Sequence, residues 1–175
     1  MRNPWIVSAV VTFGLLALTA IRAGAQAIQP TSATYTWAGE LVALDADSRV
    51  MTVKAPVRGD QAHTELPQFK LGDRILLTWT GYDTLATDIS HASRFNPASN
   101  WSQPFAFPVE FVAYDAGSQY LTFKVKTPAT GLDTIKSLKP GEWVTVTARH
   151  RPSNDSEAVT AITPYVSISV TSSTH

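Results

Sequence analysis

An all-β fold of two tandem small five-stranded barrels is predicted by three features of this chain: a doubled segment, a period-two apolar pattern, and turn residues between the apolar runs. Residues 40–54 read ELVALDADSRVMTVK and residues 110–124 read EFVAYDAGSQYLTFK. Eight of these fifteen positions are identical and five more exchange one apolar residue for another. Self-similarity at a fixed offset marks a repeated supersecondary unit. The same offset carries Tyr35 onto Phe105 and Trp37 onto Phe107, and Gly72-Asp73 falls on Gly141-Glu142 after a slip of one residue.

Within each copy, apolar residues alternate with polar ones. Leu121, Phe123 and Val125 are interleaved with Thr122, Lys124 and Lys126; Ile75, Leu77 and Trp79 are interleaved with Arg74, Thr78 and Thr80, Leu76 being the exception. Such alternation is the mark of a half-buried strand. Residues 45–48 (DADS) and 115–118 (DAGS) lie between paired apolar runs, where Asp and Ser bond their own backbone and Gly supplies positive φ, so both are hairpin turns. Each copy is expected to run as a long first strand, a hairpin into a second, and a third near residues 63–66 or 134–138. A glycine turn at Gly72 or Gly141 leads to a fourth strand, and a short fifth follows through residues 87–91 or 159–163. Residues 133–138 offer a single helical turn as the alternative. Five short antiparallel strands cannot cover a flat sheet's face and curl into a closed or partly open barrel.

The copies are bounded at residues 33–93 and 105–168. Between them, residues 94–104 form a linker whose NPASNWSQP stretch (96–104) breaks any strand pattern. Residues 165–171 alternate Val166, Ile168 and Val170 with serines, which suggests one more strand.

The first segment predicts the compartment. Arg2 precedes an almost wholly apolar stretch at residues 5–21, and Ala23-Gly24-Ala25 supplies the small residues that a signal peptidase accepts. Residues 1–25 are expected to be an export signal cleaved before Gln26, placing the mature chain in the periplasm or outside the cell. The alternative is an uncleaved anchor, which would be the chain's one link to a membrane. Without Arg2 and Arg22, twelve basic side chains face fourteen acidic ones, a formal charge of minus two. A near-neutral chain with no basic stripe argues against nucleic acid as a partner. There is no cysteine, so neither disulfides nor a lipidated cysteine are available.

The order of a GxVxxxD-type first hairpin, an FKV-type second strand and an LKxGDxV-type approach to the fourth resembles the small periplasmic five-stranded barrels of the CusF copper-binding type and related exported bacterial domains of unknown function. In the first copy the match runs over residues 40–89, in the second over residues 110–162, so it covers most of the mature chain. The resemblance implies OB-like barrels. It does not carry the copper site, whose ligands in that family are a histidine, a tryptophan-proline and two methionines spaced M-x-M. Met51 is the one methionine after the start, and neither Trp79 nor Trp101 is followed by that pattern. Soft thioethers are what would select Cu(I).

No catalytic constellation is present: GxSxG, a glycine-rich phosphate loop and HExxH are all missing, and an enzyme is not expected. No cofactor and no metal site are expected either. His63, His91, His150 and His175 occupy non-equivalent places and lack ligand spacing. Asp45 and Asp47 are turn residues rather than a calcium loop, since Arg49 stands where a further ligand is needed. Binding candidates lie where the copies diverge. The connection from fourth to fifth strand is short in the first copy and longer in the second, where Arg149, His150 and Arg151 form the mature chain's basic cluster and suit a small anionic ligand or the carboxylates of an envelope protein. In the linker, Trp101 crowds with Phe95, Phe105 and Phe107, placed either to fill a seam between the copies or to stack on a sugar or a partner. The expected function is a non-catalytic exported binding or accessory protein of the bacterial cell envelope. The alternatives are a periplasmic metal-handling protein with altered ligands and a carbohydrate-binding module.

Overall fold

The computed structural model describes residues 31–97 and 103–166. The predicted signal, Trp101 at the centre of the linker, and most of the suggested final strand lie outside them. The first copy supplies β1 (Thr34–Asp45), β2 (Val50–Pro56), α1 (Asp60–Glu65), a 3-10 turn (Leu66–Gln68), β3 (Arg74–Tyr82) and β4 (Leu85–Arg94). The second supplies β5 (Ala106–Asp115), β6 (Tyr120–Lys126), α2 (Leu132–Ser137), β7 (Trp143–Arg149), α3 (Asp155–Ala158) and β8 (Val159–Pro164). The all-β class holds.

Local chemistry repeats faithfully between copies. Asp45 Oδ1 accepts the N–H groups of Asp47 and Ser48, and Asp115 Oδ1 accepts those of Gly117 and Ser118. Each turn closes through a left-handed residue, Arg49 (φ 54°) or Gln119 (φ 59°). Gly72 (φ 88°) and Gly141 (φ 89°) make the second turn of each copy, where a side chain would be strained. Alternation sets burial: Tyr35, Trp37, Gly39 and Leu41 point inward from β1, and Met51, Val53 and Ala55 from β2. Met51 is fully buried, its thioether in the core.

The expected third strands are helical instead. Residues 63–66 fall in α1 and the 3-10 turn, and residues 134–138 in α2 and just beyond it. Each segment buries a pair at helical spacing, Ala62 with Leu66 and Ile135 with Leu138, so one face of a short helix covers the sheet. Each copy therefore contributes four strands, not five.

Nor do the copies pair within themselves as two self-contained barrels would. The eight strands form one sheet ordered β2-β6-β5-β3-β4-β1-β7-β8, and β2 also pairs with β1. Six strands thus close a ring, with β7 and β8 attached along the first half of β1. β3 of the first copy lies against β5 of the second, with Ile75 opposite Val109, and β7 of the second lies against β1 of the first, with Val144 opposite Gly39. Between β2 and β6, Val53 faces Phe123, its own counterpart seventy residues on. The exchange carries an internal two-fold relation down to single bonds. Gly72 N–H donates to the Phe111 carbonyl at 2.9 Å and Gly141 N–H to the Leu41 carbonyl at 2.8 Å; Val57 N–H reaches the Gln119 carbonyl and Thr127 N–H the Arg49 carbonyl.

Both copies fill one interior. Trp37 and Trp79 come from the first, Phe107 and Phe123 from the second. Trp79 and Phe107 stack with ring centroids 5.2 Å apart and planes 1° from parallel, and Trp37 lies 5.5–5.7 Å from Trp79, Phe107 and Phe123. Aromatic rings carry the largest burial per residue and gain further from offset stacking. Gly39 leaves room for this packing, since a Cβ there would stand 2.5 Å from Val53. Phe105 and Phe107, expected to fill a seam between copies, sit in the shared interior, while Phe95 lies against the Arg74 guanidinium.

Because one core serves both copies, truncating it anywhere should weaken the whole. Trp79→Ala is expected to lower unfolding free energy by about 3–5 kcal/mol. Denaturant unfolding followed in both copies at once should still show a single transition. Two separate midpoints, only one of them shifted, would contradict a shared interior.

Candidate functional site

The sequence cluster at Arg149, His150 and Arg151 is not gathered into a site. His150 follows β7 and is drawn inward: its Nδ1 accepts the Phe105 N–H at 3.3 Å, and its Nε2 donates to the Asp83 carbonyl at 2.8 Å. Its ring packs 4.7 Å from Tyr35 and 4.5 Å from Phe105. Both imidazole nitrogens are therefore committed, and the side chain ties the β3–β4 turn to the start of the second copy. Arg149 and Arg151 are exposed on either side of it, and neither lines a cleft described below. Phe105 itself is held over Gly81, where a Cβ would stand 2.5 Å from its ring. Beneath it Tyr35 is buried without a hydrogen-bond partner, and burial pushes its phenol far up.

Asp83 completes this end of the sheet. Its Oδ1 accepts the N–H of Ser32 at 2.8 Å and the hydroxyl and N–H of Thr31 at 2.8 and 3.0 Å. The Ser32 N–H, followed by the Thr31 hydroxyl, holds the carboxyl below its ordinary 3.8.

Among the described residues no three His, Asp or Glu side chains gather to hold a metal ion. His63 bonds Tyr114 through Nδ1, and His91 lies 3.5 Å from Glu65.

Two clefts stand out, and the repeat relates them. Each opens beside the first half of a long strand, where the first hairpin's ladder ends: at Glu40 opposite Lys54 in one copy and at Glu110 opposite Lys124 in the other. In the first copy, β4 bridges this seam. Thr36 N–H donates to the Thr84 carbonyl, Thr36 pairs with Leu85 and Val57 with Ile89, and Gly59 N–H reaches the Ile89 carbonyl at 3.1 Å. Gly59 is needed there, because a Cβ would lie 2.5 Å from the Ser90 Cα. In the second copy Ala129 stands in the place of Gly59 and Thr127 in that of Val57, and among the described residues β8 pairs only with β7. The seam stays unzipped. Thr127 is left buried with an unpartnered hydroxyl.

The unzipped seam forms a cleft of about 100 Å³. Phe107, Pro108, Val109, Val125, Ala158 and Val159 give it an apolar floor, and Arg74, Glu110, Lys124 and Lys126 surround it. Glu110 and Lys124 are paired at 2.8 Å. Lys126 is exposed and, among the described residues, has no carboxylate in ion-pair range. The bridged seam instead carries a larger, shallower groove of about 520 Å³, floored by Thr36, Ala38 and Thr145.

Of these cleft residues, Phe107 alone was singled out by sequence, as one of the aromatics around the linker. The cleft residues come from five separate stretches, and only the exchange of strands assembles them. Comparison with family models, with characterised proteins and with solved structures finds no match.

The Asp83 anchor gives a pH dependence of definite sign. A carboxyl depressed in the folded state contributes stability that is fully present above its unfolded value of 3.8 and is lost as pH falls through the folded value. Melting temperature should therefore drop on acidification below pH 3.8, and Asp83→Asn should show a smaller drop over the same range. Identical acid profiles for the two proteins would remove Asp83 from the account.

Proposed function

We propose that this chain is a non-catalytic binding protein of the bacterial cell envelope, exported by residues 1–25 and descended from a doubled small-barrel unit of the CusF-like kind, and that it holds a small organic anion in the second-seam cleft. The observation that carries this reading is the cleft's charge. Lys124 and Lys126 line it beside Arg74, whose guanidinium lies over Phe95, and among the described residues one carboxylate, Glu110, lines it, engaged by Lys124. The mature chain as a whole is slightly acidic, so this local excess is not a by-product of composition.

The floor supplies the other half of recognition. Phe107, Val109, Val125 and Val159 are each buried, so an apolar group placed on them is removed from water. An engineered apolar cavity of 150 Å³ accepts benzene, so the 100 Å³ here suits a body of about six heavy atoms or fewer, with its acid group at the lysines. Phe107 stacks on Trp79, so occupancy is coupled to an intrinsic fluorophore.

Titration with short-chain and small aromatic carboxylates, followed by tryptophan fluorescence and calorimetry, should give saturable binding that weakens with added salt. A hydrogen bond to a charged group is worth about 1.5–3 kcal/mol, so Lys126→Glu should raise the dissociation constant about tenfold or more. The exposed position of Lys126 leaves the melting temperature unchanged. Absence of saturation at 10 mM for every carboxylate, or unaltered affinity in Lys126→Glu, would overturn the reading.

A further inference from the structure

The two seams are quasi-equivalent by position but not by chemistry, and the first has features that the anion cleft lacks. We infer that the groove at the β1–β4 seam is a separate site for a neutral oligosaccharide. Its volume of about 520 Å³ falls in the range of small-ligand sites, and it is open to solvent.

Sugar rings present two kinds of surface: apolar C–H faces that stack on aromatic rings, and hydroxyl edges that both donate and accept. Tyr165 lines the groove and is 48% exposed, and Trp143 stands behind it with ring centroids 6.3 Å apart. The Tyr165 N–H donates to the Trp143 carbonyl at 2.9 Å, which fixes this aromatic pair to the end of the sheet. Leu85, 55% exposed on the opposite side, adds a second apolar contact. An aromatic and an aliphatic side chain exposed on opposite sides of one groove give a ligand apolar surface to cover on both sides.

The polar groups match the hydroxyl edges. Arg58 and Asp88 lie 3.4 Å apart at the rim, so their charges cancel while each keeps capacity for hydrogen bonds. A guanidinium beside a carboxylate offers donors and acceptors together, which vicinal hydroxyls can meet in pairs. On the floor, Thr145 adds a hydroxyl. The Thr36 hydroxyl donates to the Thr84 carbonyl and keeps its own oxygen to accept. With the Arg58–Asp88 charges cancelled and no other charged residue lining it among the described residues, the groove favours a neutral ligand, in contrast to the cationic cleft at the other seam.

The test is calorimetric titration of the full mature chain with tetrasaccharides of β-1,4-linked glucose, α-1,4-linked glucose and β-1,4-linked N-acetylglucosamine, with an extended neutral octapeptide as comparison. At least one tetrasaccharide should bind with a dissociation constant of about 1 mM or tighter. Tyr165→Ala and Asp88→Asn should each weaken it about tenfold, and Lys126→Glu should not. Tyr165 is exposed and Asp88 half-buried, and an unchanged melting temperature confirms that both variants fold. No tetrasaccharide binding at 10 mM, binding unaffected by both variants, or tighter binding of the peptide would each overturn the inference.

Discussion

The fold and both of its clefts depend on one packing arrangement: four aromatic rings, two from each half of the described chain, gathered in a single interior. Trp37 and Trp79 need Phe107 and Phe123, and the backbone pairing follows from that need. Were β1 to pair with β3, and β5 with β7, each copy would wall off its own two rings around a smaller space. Exchanging those strands, so that β1 meets β7 and β5 meets β3, lets one larger ring of six strands close around all four. A sixty-residue unit buries too little surface to be comfortably stable alone, and the chain has no cysteines to supplement it.

The exchange also explains where the clefts are. Closing one ring with strands from two copies leaves a seam beside each long strand, at the end of each first hairpin's ladder. Gly59 allows β4 to approach closely enough to bridge the first seam; Ala129 and Thr127 occupy the corresponding positions of the second, which is unbridged. The two seams correspond by position, yet one is a charged, apolar-floored cleft and the other a groove lined by Thr36, Thr87 and Thr145. A buried cost accompanies this architecture: the Tyr35 hydroxyl and the Trp37 indole nitrogen are enclosed without partners. Each such group costs about 1–3 kcal/mol, which the surrounding apolar burial must offset.

What could be read from sequence was what local chemistry determines. Asp45 and Asp115 nucleate their turns through their own backbone, Gly72 and Gly141 adopt the left-handed conformation, and Met51 faces the core because alternation places it there. Strand pairing was not legible, and the reason is the repeat itself. Ile75, Leu77 and Trp79 of β3 and Val144, Val146 and Ala148 of β7 offer equivalent inward rows, so alternation cannot tell β1 which of the two to join. The first helix was missed, and the second was offered only as the alternative to a strand at residues 133–138, because Ala62 with Leu66 and Ile135 with Leu138 are too few apolar positions to separate a short helix from a strand. Arg149, His150 and Arg151 attracted attention as neighbours in sequence, but His150 is turned inward as a tie between Phe105 and Asp83. The cleft residues, drawn from positions as far apart as Val50 and Val159, become neighbours only once the exchange is known.

The central claim is therefore the exchange, and cross-strand nuclear Overhauser contacts test it most directly. Backbone contacts are predicted between Ala38 and Thr145, between Leu77 and Phe107, and between Val53 and Phe123, all joining one copy to the other. Contacts linking β1 to β3 and β5 to β7, with these three missing, would show two self-contained barrels and contradict the account.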